Sequence, residues 1–292
     1  MASAHNQREA HPDQQQLNVL ALLQELGVIA NGSLSVGDAL YQSLAAIGRH
    51  TGWRLGRVKL EGAAMSLVSE PAISWSDDSA IAWPALPETV TADGSPTMVA
   101  APSGPRASSP PLRGYVACPI HTAGQHVGLL EFLADETLQI GPELRQVLSH
   151  TATLLGLVIE RGQTQAGLRE SERRFRAIFD QSYQFIGLME PDGTLIEVNQ
   201  TALQFGGLTL ADVVGKPFWD AYWWQISPAT QEQLRVAIQR AARGELIHYD
   251  VEVQGANGRV ITIDFSIKPI RNLSGEVVLL IPEGRDITEM RA

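Results

Sequence analysis

Between residues 246 and 283 the chain passes through three stretches in which apolar and polar residues alternate: Leu246–Val253, Arg259–Ile267 and Val277–Glu283. Ala256-Asn257-Gly258 separates the first two, and Asn272–Gly275 separates the last two. Alternation is the two-residue period of a strand with one buried face. Asn-Gly supplies the left-handed backbone that a tight hairpin needs. Strands joined by such short turns run antiparallel, because a parallel pair needs a crossover of about a dozen residues or more. The segment therefore commits the C-terminal half to an antiparallel sheet with one face that must be covered.

Two further strands, Phe185–Glu190 and Thr194–Asn199, flank Pro191-Asp192-Gly193, a tight-turn signal. Short helices are predicted over Thr201–Phe205 and Thr209–Val214. A longer one opens at Ser227-Pro228, with proline at the first helical position, and ends at Gly244. It turns Leu234 and Ile238 inward. The order strand-strand, helices, strand-strand-strand is an α+β layout with helices on one face of the sheet.

The N-terminal half reads differently. Helices are expected over Leu17–Ala30 and Ser35–Thr51, the second capped by Ser35 and ended by Gly52. Strands follow at Arg54–Leu60 and Met65–Trp75. Residues 83–113, rich in proline, serine and alanine, read as a long loop. Tyr115–His121 and His126–Leu133 then form a hairpin around Thr122-Ala123-Gly124-Gln125. A helix beginning at Pro142 carries Leu144, Val147, Leu148, Leu154, Leu155 and Val158 on one stripe and continues to Phe179. The fold class is α+β: two domains, each an antiparallel sheet flanked by helices, joined by a long helix. The expected boundaries are a disordered lead-in at 1–13, a first domain at 14–162, a connecting helix at 163–181 and a second domain at 182–292.

A length of 292 residues accommodates two such domains. The net charge of −10 weighs against binding nucleic acid through phosphates. The one cysteine, Cys118, makes neither an internal disulfide nor a cysteine-rich zinc site. The polar stretch Met1–Gln16 is no secretory signal, and no run approaches the roughly 18–20 apolar residues of a membrane helix. A cytoplasmic location is expected. No phosphate loop, dinucleotide fingerprint, zinc-protease motif, nucleophile elbow or kinase signature occurs. The chain is accordingly not expected to be an enzyme.

Phe218, Trp219, Tyr222, Trp223 and Trp224 place five aromatic residues within seven positions of a chain that is 6% aromatic. They suit either a wall for a planar ligand or a plug in the core. Adjacent positions of a helix cannot all face inward, so at least one of these tryptophans is expected at the surface or an interface. The pocket of the second domain is assigned to Ile186, Leu188, Phe205, Phe218, Trp219, Trp223, Leu234, Ile238, Val251, Ile263, Phe265 and Leu280. His248 shares a strand face with Asp250 and is expected to meet solvent, and Asp264 is expected on the solvent or interdomain face. His121 and His126 flank a turn without a third ligand near them in sequence. His150 is read as a surface or interface histidine, and Cys118, on an alternating strand, as a buried structural thiol.

Taken in order, Arg174–Asp180, Pro191-Asp192-Gly193, Ile196-Glu197-Val198-Asn199, Gly215–Trp219 and Gly284–Glu289 resemble a PAS domain over about residues 170–292. Gln200 departs from the proline often found after that asparagine. Residues 17–162 resemble a GAF domain through the helix pair, the early strands, and Ala117–Ile120 leading to Val127–Phe132. The resemblance implies a GAF-then-PAS sensory module that binds a small ligand or partner. It would relay conformation to an output domain such as a histidine kinase or diguanylate cyclase, with Asp286, Ile287 and Thr288 as the signal exit. It also implies a homodimer through the helix 141–180. A ligand-free dimerisation and protein-interaction scaffold is the alternative, and an enzyme using a pocket carboxylate or His248 is the third reading. No cofactor is assigned. Cys118 lies on a strand, not at a pocket mouth as a tetrapyrrole-attaching thiol would. The second domain's helical region has no cysteine for a flavin adduct, and its long helix has no histidine for haem. No metal site is expected.

Overall fold

The computed structural model describes residues 12–32, 35–70, 72–77, 97–100, 114–134 and 141–290. It divides into two compact units, Met1–Arg169 and Glu170–Ala292. The predicted lead-in lies outside the described residues except for its last two, which begin a helix. Most of the predicted 83–113 loop also lies outside them.

In the first unit, α1 (Pro12–Gly32) and α2 (Val36–Thr51) precede β1 (Leu55–Leu60), β2 (Ala72–Ser76), β3 (Thr97–Ala100), β4 (Gly114–Thr122) and β5 (Gln125–Ala134). The Ser35 hydroxyl accepts from the Asp38 N–H at 3.1 Å, and Gly52, at φ 74°, closes α2. Ala123 and Gly124 both take positive φ, which gives β4 and β5 a two-residue turn matching strand twist. The sheet order is β2-β1-β5-β4-β3, all antiparallel.

Two expectations need correction here. Met65–Trp75 is not one strand: Gly62–Leu67 forms a 3-10 helix and pairing begins only at Ala72. The stretch 83–113 is not all loop, because Thr97–Ala100 pairs with β4.

One sheet face carries Val58, Val116, Cys118, Ile120, Leu130 and Phe132 under Leu22 and Leu26 of α1, Leu40, Leu44 and Ile47 of α2, and α3 (Pro142–Asp180). Val147, Leu148, Leu155 and Val158 of the α3 stripe are buried in this core, with Leu144 and Leu154 packed against it. Gly156 is a close-approach position: a Cβ there would sit 2.3 Å from the His121 carbonyl oxygen. On the other face Glu131, 2% exposed, accepts from Arg57 Nε at 2.7 Å and Tyr115 Oη at 2.8 Å. A buried carboxylate needs such partners.

The second unit contains the last turns of α3, then β6 (Phe185–Met189), β7 (Leu195–Val198), α4 (Gln200–Gly206), α5 (Leu210–Val213), two 3-10 turns (Phe218–Asp220 and Tyr222–Trp224), α6 (Pro228–Ala242), β8 (Ile247–Gln254), β9 (Val260–Arg271) and β10 (Val277–Asp286). The order β7-β6-β10-β9-β8 is antiparallel throughout. Asn257 and Gly258 take the positive φ that the Asn-Gly signal implied. Met189, Leu195, Ile263, Phe265, Ile267 and Leu280 of the sheet pack with Leu203, Leu234, Ile238 and Trp224 of the covering layer.

Candidate functional site

Asn199 anchors the site. It is fully buried, stands as N-cap of α4 and uses all its hydrogen-bonding capacity. Its Oδ1 accepts from the Ile186 and Ala202 N–H groups, each at 3.1 Å. Its Nδ2 donates to the carbonyls of Phe179, at 3.0 Å, and Gln184, at 2.8 Å. One side chain thereby ties the end of α3, the start of β6 and the start of α4. Sequence reading placed Asn199 in a motif without giving it this role.

Beside this knot lies a cavity of about 50 Å3. Its sheet wall is Phe185, Ile186 and Gly187 of β6, Leu195 and Val198 of β7, Val253 of β8, Ile263 and Phe265 of β9, and Pro282, Glu283 and Gly284 of β10. Its roof is Ala202 and Phe205 of α4 with Phe218, Trp223 and Trp224. Ring faces and edges order this wall: Phe218 meets Trp224 at 5.3 Å, Trp224 meets Phe265 at 5.0 Å and Phe265 meets Tyr249 at 5.5 Å between centroids. These are the tilted and edge-on geometries that aromatic quadrupoles favour. Glu283, the one acidic residue in the lining, turns its carboxylate to the outer sheet face, where Lys268 holds it at 2.6 Å.

The space between a sheet and its roof is closed where side chains are large and left open where they are small. Gly187, Ala202 and Gly284 supply the small positions. Pro282 sits in β10, a central strand, and has no N–H for the ladder. It falls between the β6–β10 pairs Leu280↔Met189 and Glu283↔Ile186. The β6–β10 ladder is thus interrupted behind the cavity.

Three buried polar atoms in this region have no hydrogen-bond partner: Trp223 Nε1, Trp224 Nε1 and Tyr249 Oη. Trp223 is 6% exposed and Trp224 1%. A donor buried this way costs about 1–3 kcal/mol. Burial alone pushes the Tyr249 phenol up to about 12.

Of the sequence-assigned pocket residues, Ile186, Phe205, Phe218, Trp223, Ile263 and Phe265 line the cavity. Leu234, Ile238 and Leu280 lie in the surrounding core, and Trp219 and Val251 pack against it. Leu188 does neither, because on β6 the residues turned into the core are Phe185, Gly187 and Met189. Sequence reading also missed Trp224, the most buried tryptophan among the described residues. Trp223 and Trp224 are both buried and Trp219 is half-buried, so Trp219 is the tryptophan of this segment nearest the surface; the segment is two 3-10 turns that change direction at Ala221, not an α-helix. The aromatic density of 218–224 was the signal that could have included Trp224.

The exit residues form a latch at the end of β10. The Ile287 N–H donates to the Thr262 carbonyl at 3.0 Å, and Thr288 donates through N and Oγ1 to Asp286 Oδ1 at 2.9 and 2.7 Å. His248 is exposed on the outer sheet face and pairs with Asp264. His121 and His126 are exposed, with their rings 5.6 Å apart, and His150 is exposed on α3. Cys118 is buried, and burial pushes its thiol up to about 12. Among the described residues no group of three or more His, Cys, Asp or Glu side chains could hold a metal ion.

A five-stranded antiparallel sheet roofed on one face by short helices, with an apolar cavity beneath the roof and a latched strand end, defines the second unit as a sensor-type α+β domain. Residues 179–292 match the family model described as PAS fold, so this part of the chain is a PAS domain. It has relatives among sensor kinases. The "Hybrid signal transduction histidine kinase D" of Dictyostelium discoideum is 38% identical over 166 residues, 56% of this chain and 11% of that protein. The "Sensor histidine kinase TmoS" of Ectopseudomonas mendocina is 43% identical over 122 residues, 41% of this chain and 12% of that protein. The chain thus spans about a tenth of the length of these curated relatives. Among solved structures, the PAS domain of an HTR-like protein from Haloarcula marismortui aligns at 22% identity and TM-score 0.37, covering 43% of this chain and 98% of that one.

Proposed function

We propose that this chain is the sensory region of a two-component-type signalling protein, in which a small molecule held in the PAS cavity alters the packing of the sheet and the change leaves at Asp286–Thr288. The single observation that carries the reading is the apolar cavity under Phe218, Trp223 and Trp224, walled by the same strand, β10, that ends in the exit latch. A ligand that fits one arrangement of the sheet better than another shifts the population toward it. The gap at Pro282 favours such movement, since fewer ladder bonds resist it. Relay would pass to an output domain outside this chain, such as a histidine kinase. The proposed activity is binding and relay, not catalysis.

The first unit is read as GAF-like, supported by its helix pair, five-stranded antiparallel sheet and long helix packed on the same face as the pair. A homodimer through α3 is supported by Leu168, Phe175 and Ile178, exposed at 70%, 42% and 77% and spaced seven and three apart as in a heptad seam. Neither nucleic acid nor a membrane is a proposed partner, and among the described residues no helix is long and apolar enough to cross one. The location proposed is cytoplasmic.

Native mass spectrometry of the purified chain tests the sensory reading. A retained small molecule, or a rise in melting temperature with apolar compounds, supports it. A colourless protein with no adduct, unmoved by flavin, haem, fatty acids and single-ring compounds, returns the chain to the scaffold alternative.

A further inference from the structure

The side chains that face the PAS cavity present carbon. Among the lining residues only Trp223, Trp224 and Glu283 carry a polar side-chain atom. Both indole nitrogens are sealed in the packing and offer the cavity no surface. The Trp223 nitrogen lies against Gly206 of α4, outside the lining, where an added Cβ would come within 2.5 Å of it. The Glu283 carboxylate is on the outer sheet face with Lys268. Pro282 has no N–H to give. What remains is hydrocarbon: the rings of Phe185, Phe205, Phe218 and Phe265 with aliphatic groups between them.

A wall of this kind selects by what it withholds. The volume of about 50 Å3 is room for roughly three to five waters, which suits a single ring or a short chain. A water in a buried site needs about two to four polar partners, and no lining side chain supplies one. The same holds for a polar atom on a ligand. It would leave its own water for a place without a partner, a loss of about ten- to a hundredfold in affinity for each such atom. A charge would lose more. Carbon gains instead, because each group taken out of water is stabilised and the tilted rings around it offer edges and faces to pack on.

We propose that the PAS cavity takes a small hydrocarbon, one ring or a short chain, that carries no hydrogen-bonding group and no charge. The proposal rests on the sensory reading above and names the class of its ligand. Recognition is by shape and by exclusion of polar molecules: Gly187, Ala202 and Gly284 set the room available, and the sealed indole N–H groups give a polar competitor nothing to bind.

Benzene and pyridine test it, because they share size and shape and differ at one ring position, a C–H in the first and an acceptor nitrogen in the second. Both are uncharged in mildly alkaline buffer. Each is titrated into the full chain labelled with 15N. Benzene is expected to move backbone resonances of Phe185, Ile263 and Phe265 and to bind at least about tenfold tighter than pyridine, the cost of stripping water from one acceptor that finds no partner. Pyridine binding as tightly as benzene, with the same resonances moved, would overturn the hydrocarbon class and leave the cavity a ligand site. If neither probe moves a resonance of the second unit, the class fails. The sensory reading then stands only if native mass spectrometry of the same chain shows a retained small molecule, and otherwise falls with it.

Discussion

Replacing Asn199 with alanine should nearly unfold the second unit without touching its apolar core. The side chain is fully buried and makes four hydrogen bonds. Alanine removes all four. Gln184 is exposed and Ile186 half-buried, so water can reach the groups freed there, whereas Phe179 and Ala202 are buried. Two orphaned buried groups at about 1–3 kcal/mol each, one of them also the lost helix cap, give about 2–6 kcal/mol. Set against the roughly 5–15 kcal/mol of a whole domain, that leaves little. Asn199→Asp should be no milder. It keeps the acceptors, loses both donors and sets a carboxylate against two carbonyls. Because Trp53, Trp75 and Trp83 belong to the first unit, total fluorescence is a poor probe. Hydrogen exchange by mass spectrometry across denaturant, read on peptides covering 185–206, isolates the effect. A loss below about 1 kcal/mol in those peptides would refute the reasoning, since it would mean water or a backbone shift replaces the knot at no cost.

Other outcomes follow from the same structure. Phe265→Ala should destabilise the second unit by about 3–5 kcal/mol, as truncation of a buried aromatic does, measured by urea unfolding of the same peptides. Ala202→Leu fills part of the cavity and should weaken binding of a small apolar probe such as benzene at least about tenfold, the equivalent of about 1.4 kcal/mol, in a 15N NMR titration. The first unit should lose stability as pH rises from about 9 toward 12. Burial raises the folded Cys118 thiol from 9.0 to about 12. Burial, and then the Glu131 carboxylate, raise Tyr115. Both groups are neutral when protonated, so the unfolded chain deprotonates first and gains. Melting curves of wild type and Cys118→Ala between pH 8 and 11 should converge as pH increases. For the same reason Cys118 should resist alkylation at pH 8 until denaturant is added.

Much of the second unit was legible because its turns announce themselves. Pro191-Asp192-Gly193 and Asn257-Gly258 demanded positive φ at Gly193, Asn257 and Gly258, and the structure supplies it there. His248 and Asp264 met solvent as their alternation required. Parity failed at β6 for Leu188: Gly187 and Met189 are the buried positions of that strand, so the residue between them turns away from the core. In the first unit β3 was hidden by proline-rich surroundings, since Thr97–Ala100 has only four residues in which to show a period. The 3-10 turn at Gly62–Leu67 mimicked a strand start because its apolar residues carry no helical spacing of their own. The buried carboxylate Glu131 could not be found from sequence at all. Its partners Arg57 and Tyr115 come from other strands, and only the sheet register brings them together.

The amide of Ile287 gives the most direct view of the relay, because its bond to the Thr262 carbonyl closes the exit at the far end of the strand that walls the cavity. Saturating the cavity with a small apolar probe such as benzene should change the hydrogen-exchange rate of Ile287 severalfold while leaving the Leu44 and Ile47 amides of α2 unaltered. A cavity that fills, with Phe265 resonances shifted and the Ile287 rate unmoved, would contradict a sensor whose sheet carries the signal out.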